Sequence, residues 1–255
     1  MSTLARLSTS ARYRIRTLGR RVGTPALSSF SEGVREALSN VASELRISRI
    51  VRKSQSQFRQ WQGQHNLKLN LGCGGDLKPG WLNVDLWLDS ADPRPEGSEA
   101  IFINYDLRRE IPLDAGSCEI IYSSHFFEHL DYKVGLRQLR ECYRLLKPKG
   151  TFRISLPDFK GACRAYLNND AEYFSLVDTD VFLPEVEPGT LTLIDYINFA
   201  AYHSGEHKRM YDEEKVILLL QKIGFSSVTV SSYESTIDPP SPLRTDYSFY
   251  VQATK

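Results

Sequence analysis

Leu69-Asn70-Leu71-Gly72-Cys73-Gly74-Gly75 is an apolar stretch that breaks into a glycine turn, and Leu82-Asn83-Val84-Asp85 follows it shortly afterwards. A turn of this kind lets backbone come close to a ligand and presents N–H groups to it. A carboxylate at the end of the next strand can accept both hydrogen bonds of a ribose diol. The pair points to a nucleoside-bearing ligand. A dinucleotide fingerprint is disfavoured, because Gly-x-Gly-x-x-Gly fails at Leu77.

Histidine is the second chemically active type. His125/His129 and His203/His207 each have i,i+4 spacing, with Asp158 and Glu206 as acids of the right kind, so a metal site is conceivable. The competing reading is that Glu128-His129, at a helix start, orients the fold through hydrogen bonds. His65 lies in a linker. The four cysteines (Cys73, Cys118, Cys142, Cys163) form no Cys-x-x-Cys pair, which argues against a zinc ribbon or disulfide framework and for a reducing compartment. No Gly-x-Ser-x-Gly elbow and no Walker loop occurs.

Something must position these residues. Short apolar runs at 67–71, 82–86, 100–104, 119–123 and 151–156 read as strands, followed by 227–232 and 247–254 around a proline-rich loop. Helical periodicity covers 130–146, stopping at Lys147-Pro148-Lys149-Gly150, and 212–223, stopping at Gly224. This alternation predicts an α/β fold: a seven-stranded, mostly parallel sheet with helices on both faces. Residues 159–210 fit it poorly. Their aromatics and acids predict an insertion that walls a pocket, or else a helical cap that buries aromatics for stability alone.

The formal net charge is +1, yet residues 1–66 hold twelve Lys+Arg against three Asp+Glu. The first 31 residues carry six arginines and no acid. Residues 1–62 therefore read as a basic, partly helical extension, with a flexible arm to about 29 and one or two amphipathic helices after it; 63–255 is the main domain. A solvated arm, a contact of residues 1–60 with an anionic membrane, and an organellar transit peptide all fit the extension. No nucleic-acid partner is expected, since no base-reading motif is present. Cytoplasm is the default location.

Residues 67–158 resemble the class I S-adenosylmethionine-dependent methyltransferases, most closely a short-opening bacterial branch of the type 11 kind. The resemblance rests on Asn70-Leu71-Gly72-Cys73-Gly74, Pro79-Gly80-Trp81-Leu82-Asn83-Val84-Asp85, Tyr105-Asp106-Leu107 and Ile111-Pro112-Leu113. It continues in Ser123-Ser124-His125-Phe126-Phe127-Glu128-His129-Leu130, Leu145-Leu146-Lys147-Pro148-Lys149-Gly150 and Leu156-Pro157-Asp158, and weakly in His207-Lys208-Arg209-Met210-Tyr211-Asp212. It implies a Rossmann-like sheet and S-adenosyl-L-methionine as cofactor. Asn70, Leu71, Gly72, Cys73 and Gly74 would lie along its methionine and ribose. Asp85 would take the ribose hydroxyls, Asp106 and Leu107 would flank the adenine, and Ser124 and His125 would sit at the methionine end. Two departures stand out: Asp76 replaces the third glycine of the common turn, and the crossover from Gly72 to Leu82 is too short for a full helix.

Methyl transfer asks mainly for in-line positioning, but an alcohol acceptor also needs a base, and histidine suits that role. His125 is the first candidate, followed by His129 and Asp158. No metal is expected, because the resembled branch is not metal-dependent. The expected activity is O-methylation of a small-molecule or glycan acceptor, the glycan resting on resemblance alone. The alternatives are a catalytically silent cofactor-binding module and an aminopropyl transferase on the same fold.

Overall fold

In the computed structural model, described for residues 31–88, 94 and 98–255, seven strands form one sheet in the order β3-β2-β1-β4-β5-β7-β6. They are β1 (Leu67–Leu71), β2 (Leu82–Asp85), β3 (Ile101–Asn104), β4 (Cys118–Ser124), β5 (Leu146–Pro157), β6 (Ser226–Ser231) and β7 (Ser248–Thr254). The first five run parallel, and β7 is antiparallel to both β5 and β6. In β5 every residue from Phe152 to Leu156 is buried, so both faces of the sheet are covered there. Chain order reverses between β1 and β4, which places the switch point, and the cleft beyond it, at the carboxyl ends of those two strands.

Helix α1 (Glu32–Arg59) is continuous. Ile47, Val51, Ser54 and Phe58 recur every three or four residues and are its buried face. Phe58 meets the Tyr105 ring edge-on at 5.2 Å, and the Ser54 hydroxyl donates to the Asn104 carbonyl, fastening α1 beside β3. The basic arm, and with it the transit-peptide reading, lies outside the described residues. Among the described residues no helix is long and apolar enough to cross a membrane.

The helix expected over 130–146 forms as α2 (Tyr132–Leu145), preceded by a 3-10 turn (Phe127–His129). α2 ends just before Lys147-Pro148-Lys149-Gly150, and those residues form an irregular, bulged start to β5. Pairing jumps from Cys118↔Leu146 to Ile120↔Thr151, because Pro148 has no N–H and Lys149 takes φ +64°. A Cβ on Gly150 would come within 2.9 Å of the Lys147 carbonyl oxygen. The segment 159–210 folds as α3 (Phe159–Leu167), α4 (Thr179–Phe182) and α5 (Leu193–Tyr202) with short 3-10 turns between them. Beyond it come α6 (Glu213–Ile223), capped by Gly224 at φ +117°, and α7 (Pro242–Thr245).

Candidate active site

The glycine turn leaves β1 at the switch point. Gly72 and Gly74 have φ of +65° and +51°, a region costly for other residues. The Gly72 N–H donates to the Val84 carbonyl at 2.9 Å, and the Gly74 N–H donates to Asp85 Oδ2 at 2.7 Å. Asp85 Oδ1 accepts from the Leu86 N–H at 2.7 Å, so its carboxylate braces the turn as well as facing it. Apart from the adjoining residues, no heavy atom lies within 4 Å of a Cβ built on Gly74 or Gly75, so this side of the turn is open.

The crossover from Gly72 to Leu82 contains no helix, and two buried amides stand in for one. Asn70 Nδ2 donates to Asn83 Oδ1 (2.9 Å) and to the Asp76 carbonyl (2.8 Å). Asn83 Oδ1 also accepts the Lys78 N–H, while its Nδ2 donates to the carbonyls of Lys78, Trp81 and Ile101. Both asparagines were legible in sequence; only Asn70 was singled out there, and Asn83, at the crossover's far end, was passed over.

Asp106, 2% exposed, points its carboxylate at arginines. Oδ1 accepts from the Arg108 N–H (3.0 Å) and Nε (2.9 Å), and Oδ2 from Arg108 Nη2 (3.1 Å) and Arg109 Nε (3.4 Å). Burial alone would raise its pKa, but the Arg108 hydrogen bonds and charge reverse this and hold it below the usual carboxylate value. Arg108 reaches on to Glu44 of α1 at 2.9 Å, joining the extension to the carboxyl end of β3. Leu107 is buried beside Asp106.

The carboxyl end of β4 carries the histidines. The Ser124 hydroxyl faces the buried Tyr122 phenol. His125, at φ +50°, follows it. Its Nε2 lies 2.7 Å from Ser248 Oγ, and that hydroxyl donates onward to the Leu243 carbonyl at 2.7 Å. The imidazole must therefore donate from Nε2, leaving Nδ1 as its acceptor nitrogen, 3.7 Å from Glu128 Oε1. Glu128 is 1% exposed, and neither carboxylate oxygen has a hydrogen-bond partner. Burial pushes its pKa up to about 8. Burial, with the neighbouring His207, pushes His129 down to about 4; burial, with Arg244 and the other histidines, holds His125 well below its usual value. His207 is lowered by burial.

Four of the five histidines converge. The Glu128 carbonyl accepts from the N–H groups of Lys208 (2.7 Å) and Arg209 (3.1 Å), which sets His207 against the Glu128-His129 turn. The His129 and His207 ring centroids are 5.0 Å apart, and those of His203 and His207 4.8 Å. A carboxylate oxygen of Glu128 and ring nitrogens of His129 and His207 lie within 4.8 Å of one another. The proximity joins one member of each i,i+4 pair, a relation that spacing along the chain does not reveal.

His125, Asp158, His203 and His207 line a cavity of about 100 Å³ whose walls are Tyr173, Phe174, Tyr196, Phe199 and Tyr247 among others. The expected insertion thus supplies most of the wall. Asp158 caps α3 by accepting the Gly161 N–H at 2.8 Å. A larger cleft of about 330 Å³, between α1 and residues 110–114, shares none of these residues. Two residues under the site were not anticipated. Arg153 in β5 and Asp238 in the proline-rich loop, both 2% exposed, form a bidentate ion pair that docks the loop carrying Arg244 and Leu243. An arginine inside an apolar strand run gives no sign in sequence of where its partner lies.

Residues 69–154 match the family model described as a methyltransferase domain. No curated protein matches. Among solved structures, an S-adenosylmethionine-dependent methyltransferase from Archaeoglobus fulgidus shares 17% identity, covering 79% of this chain and 92% of that one, with a TM-score of 0.48. One from Aquifex aeolicus shares 15% over 79% and 88%, at 0.43. One from Mesorhizobium loti shares 17% over 75% and 92%, also at 0.43.

Proposed function

We propose that this chain, a class I S-adenosylmethionine-dependent methyltransferase, methylates an oxygen of a small-molecule or glycan acceptor held in the aromatic cavity. One observation carries the reading. Phe126 packs on Gly72 of the turn, and its neighbour His125 lines the cavity, so donor and acceptor sides meet at two adjacent residues.

When bound, S-adenosylmethionine supplies a methyl group on a sulfonium that leaves as a neutral thioether. Asn70, Leu71, Gly72, Cys73 and Gly74 hold the methionine and ribose, Asp85 accepts the ribose hydroxyls, and Asp106 and Leu107 flank the adenine. Ser124 and His125 bound the methionine end. An acceptor hydroxyl taking that methyl group would give its proton to His125 Nδ1. Asp158 lines the same cavity and fixes the first turn of α3, while His129 packs against His207 of its wall. The aromatic walls exclude water and stack on the apolar face of a ring, sugar rings included.

Calorimetric titration of S-adenosylmethionine into the wild type and Asp85→Ala, followed by S-adenosylhomocysteine release across a panel of hydroxyl acceptors, tests this. Micromolar binding that collapses in the variant, with turnover lost in His125→Ala, is expected. Binding without turnover on any acceptor would favour a silent module; no binding by the folded wild type would sink the reading.

Residues 1–60 are proposed to touch an anionic membrane surface. Within α1, Arg46, Arg49 and Arg52 are exposed, as are Val34, Leu38, Val41 and Leu45. Flotation with phosphatidylserine vesicles should fall when those four apolar residues become serine; undiminished flotation would count against the contact.

A further inference from the structure

We propose that Glu128, His129 and His207 form a binding site for a divalent transition-metal cation at the acceptor end of the cavity. The inference deepens the methyl-transfer reading and rests on it for the cation's role, but the site itself stands on geometry.

The donor atoms lie within 4.8 Å of one another. Around a tetrahedral zinc-like ion with bonds near 2.0–2.1 Å, such atoms stand roughly 3.4 Å apart, so the donors need draw together by only about 1.4 Å at most. Three features mark it as built. Both Glu128 oxygens are buried without a hydrogen-bond partner, a costly state for a carboxylate with nothing to hold. The two halves of the site are tied through backbone, since the Glu128 carbonyl holds the N–H groups of Lys208 and Arg209. His207 Nδ1 lies 3.0 Å from the Ala200 carbonyl and donates to it, which fixes the ring and turns Nε2 inward, as metal-bound imidazoles usually are oriented.

His207 Nε2 now lies 3.2 Å from His203 Nδ1. Cation entry exchanges that hydrogen bond for a metal bond and leaves His203 at the edge of the site as a further donor. Two imidazoles and one carboxylate suit zinc, manganese, iron or cobalt better than magnesium, which prefers oxygen. Three protein ligands leave a coordination position open. His207 and His203 line the cavity, so a cation held by His207 would lie at its wall. An acceptor hydroxyl bound there loses its proton more readily, and His125 on the cavity wall can receive it.

The test is titration of the full chain with cobalt(II), followed by its visible absorption, with S-adenosylmethionine calorimetry on the same preparation. One equivalent of cobalt should develop an absorption band, and Glu128→Gln and His207→Ala should each weaken binding at least about tenfold while retaining the wild-type circular dichroism. His129→Asn should do the same, which guards against one variant failing to fold. No band in folded wild type, or a band unchanged in all three variants, overturns the site. A wild type that binds cobalt but not S-adenosylmethionine overturns the methyl-transfer reading and leaves the cation site standing.

Discussion

The ring of Phe126 is packed onto the bare α-carbon of Gly72: a Cβ there would stand 2.3 Å from Phe126 Cγ, inside any real contact distance. Gly72 also has φ +65°, so Gly72→Ala meets a clash and a backbone penalty together. Overpacking and left-handed strain predict a loss of about 2–4 kcal/mol in urea denaturation. Combining it with Phe126→Ala removes the ring contacts but keeps Phe126 Cβ, 2.4 Å from the added methyl, so the double variant should recover only part of the loss. A double variant whose cost equals the sum of the two single losses would contradict this packing.

Arg153 and Asp238 are both 2% exposed, and the arginine also donates to Ser231 Oγ and the Ser232 carbonyl. Removing one partner leaves a buried charge uncompensated. Arg153→Met or Asp238→Asn should each cost about 3–5 kcal/mol of stability, measured by denaturant unfolding, while Arg153→Met with Asp238→Leu costs less than either. Additive losses would mean that the ion pair is not the contact that docks the proline-rich loop.

Asp106 carries a pH signature. Its folded pKa lies below the unfolded one, mainly because Arg108 bonds outweigh burial. A carboxylate of this kind contributes stability above the unfolded pKa, near 3.9, and loses it as pH falls through the folded value. The destabilisation caused by Asp106→Asn should therefore be full at neutral pH and shrink below about pH 4. Thermal melts from pH 7 to pH 3 check this, and a difference that stays constant across that range would remove the ion pair as the cause.

The parallel sheet was legible because each strand is a short apolar run bounded by glycine, proline or acid, and β1 to β5 fell where those runs lie. The helix end before Lys147–Gly150 was legible too, since α2 stops at Leu145; that the same residues would open β5 with a bulge was not. The histidine grouping was half legible. Spacing of i,i+4 pairs residues on a continuous helix, but His125 and His129 span a left-handed residue and a 3-10 turn, and φ is positive at His203 and Ser204. The partners are instead set by the Glu128 carbonyl binding residues 208 and 209, a long-range contact without local trace. Arg153–Asp238 was invisible for the same reason.

Asn83 tests whether the short crossover depends on its amides. It is fully buried and links Asn70, Lys78, Trp81 and Ile101 by five hydrogen bonds, including the one it accepts from Asn70. Asn83→Leu keeps a similar volume but orphans the Lys78 N–H and the carbonyls Nδ2 had satisfied. The exposed ones can rehydrate, so the cost should be about 2–4 kcal/mol rather than the sum of all five bonds. Asn83→Asp keeps the acceptor, loses the donor and buries a charge among carbonyls; it should be at least as harmful. Asn83 lies behind the turn rather than facing its open side, so any change in S-adenosylmethionine affinity reports turn geometry alone. Affinity should drop about tenfold in whichever variant remains folded, which corresponds to about 1.4 kcal/mol. Calorimetry beside circular dichroism reads both quantities. Unchanged affinity in a destabilised variant would show that the turn holds its shape through Gly72, Gly74 and Asp85 without the amide scaffold.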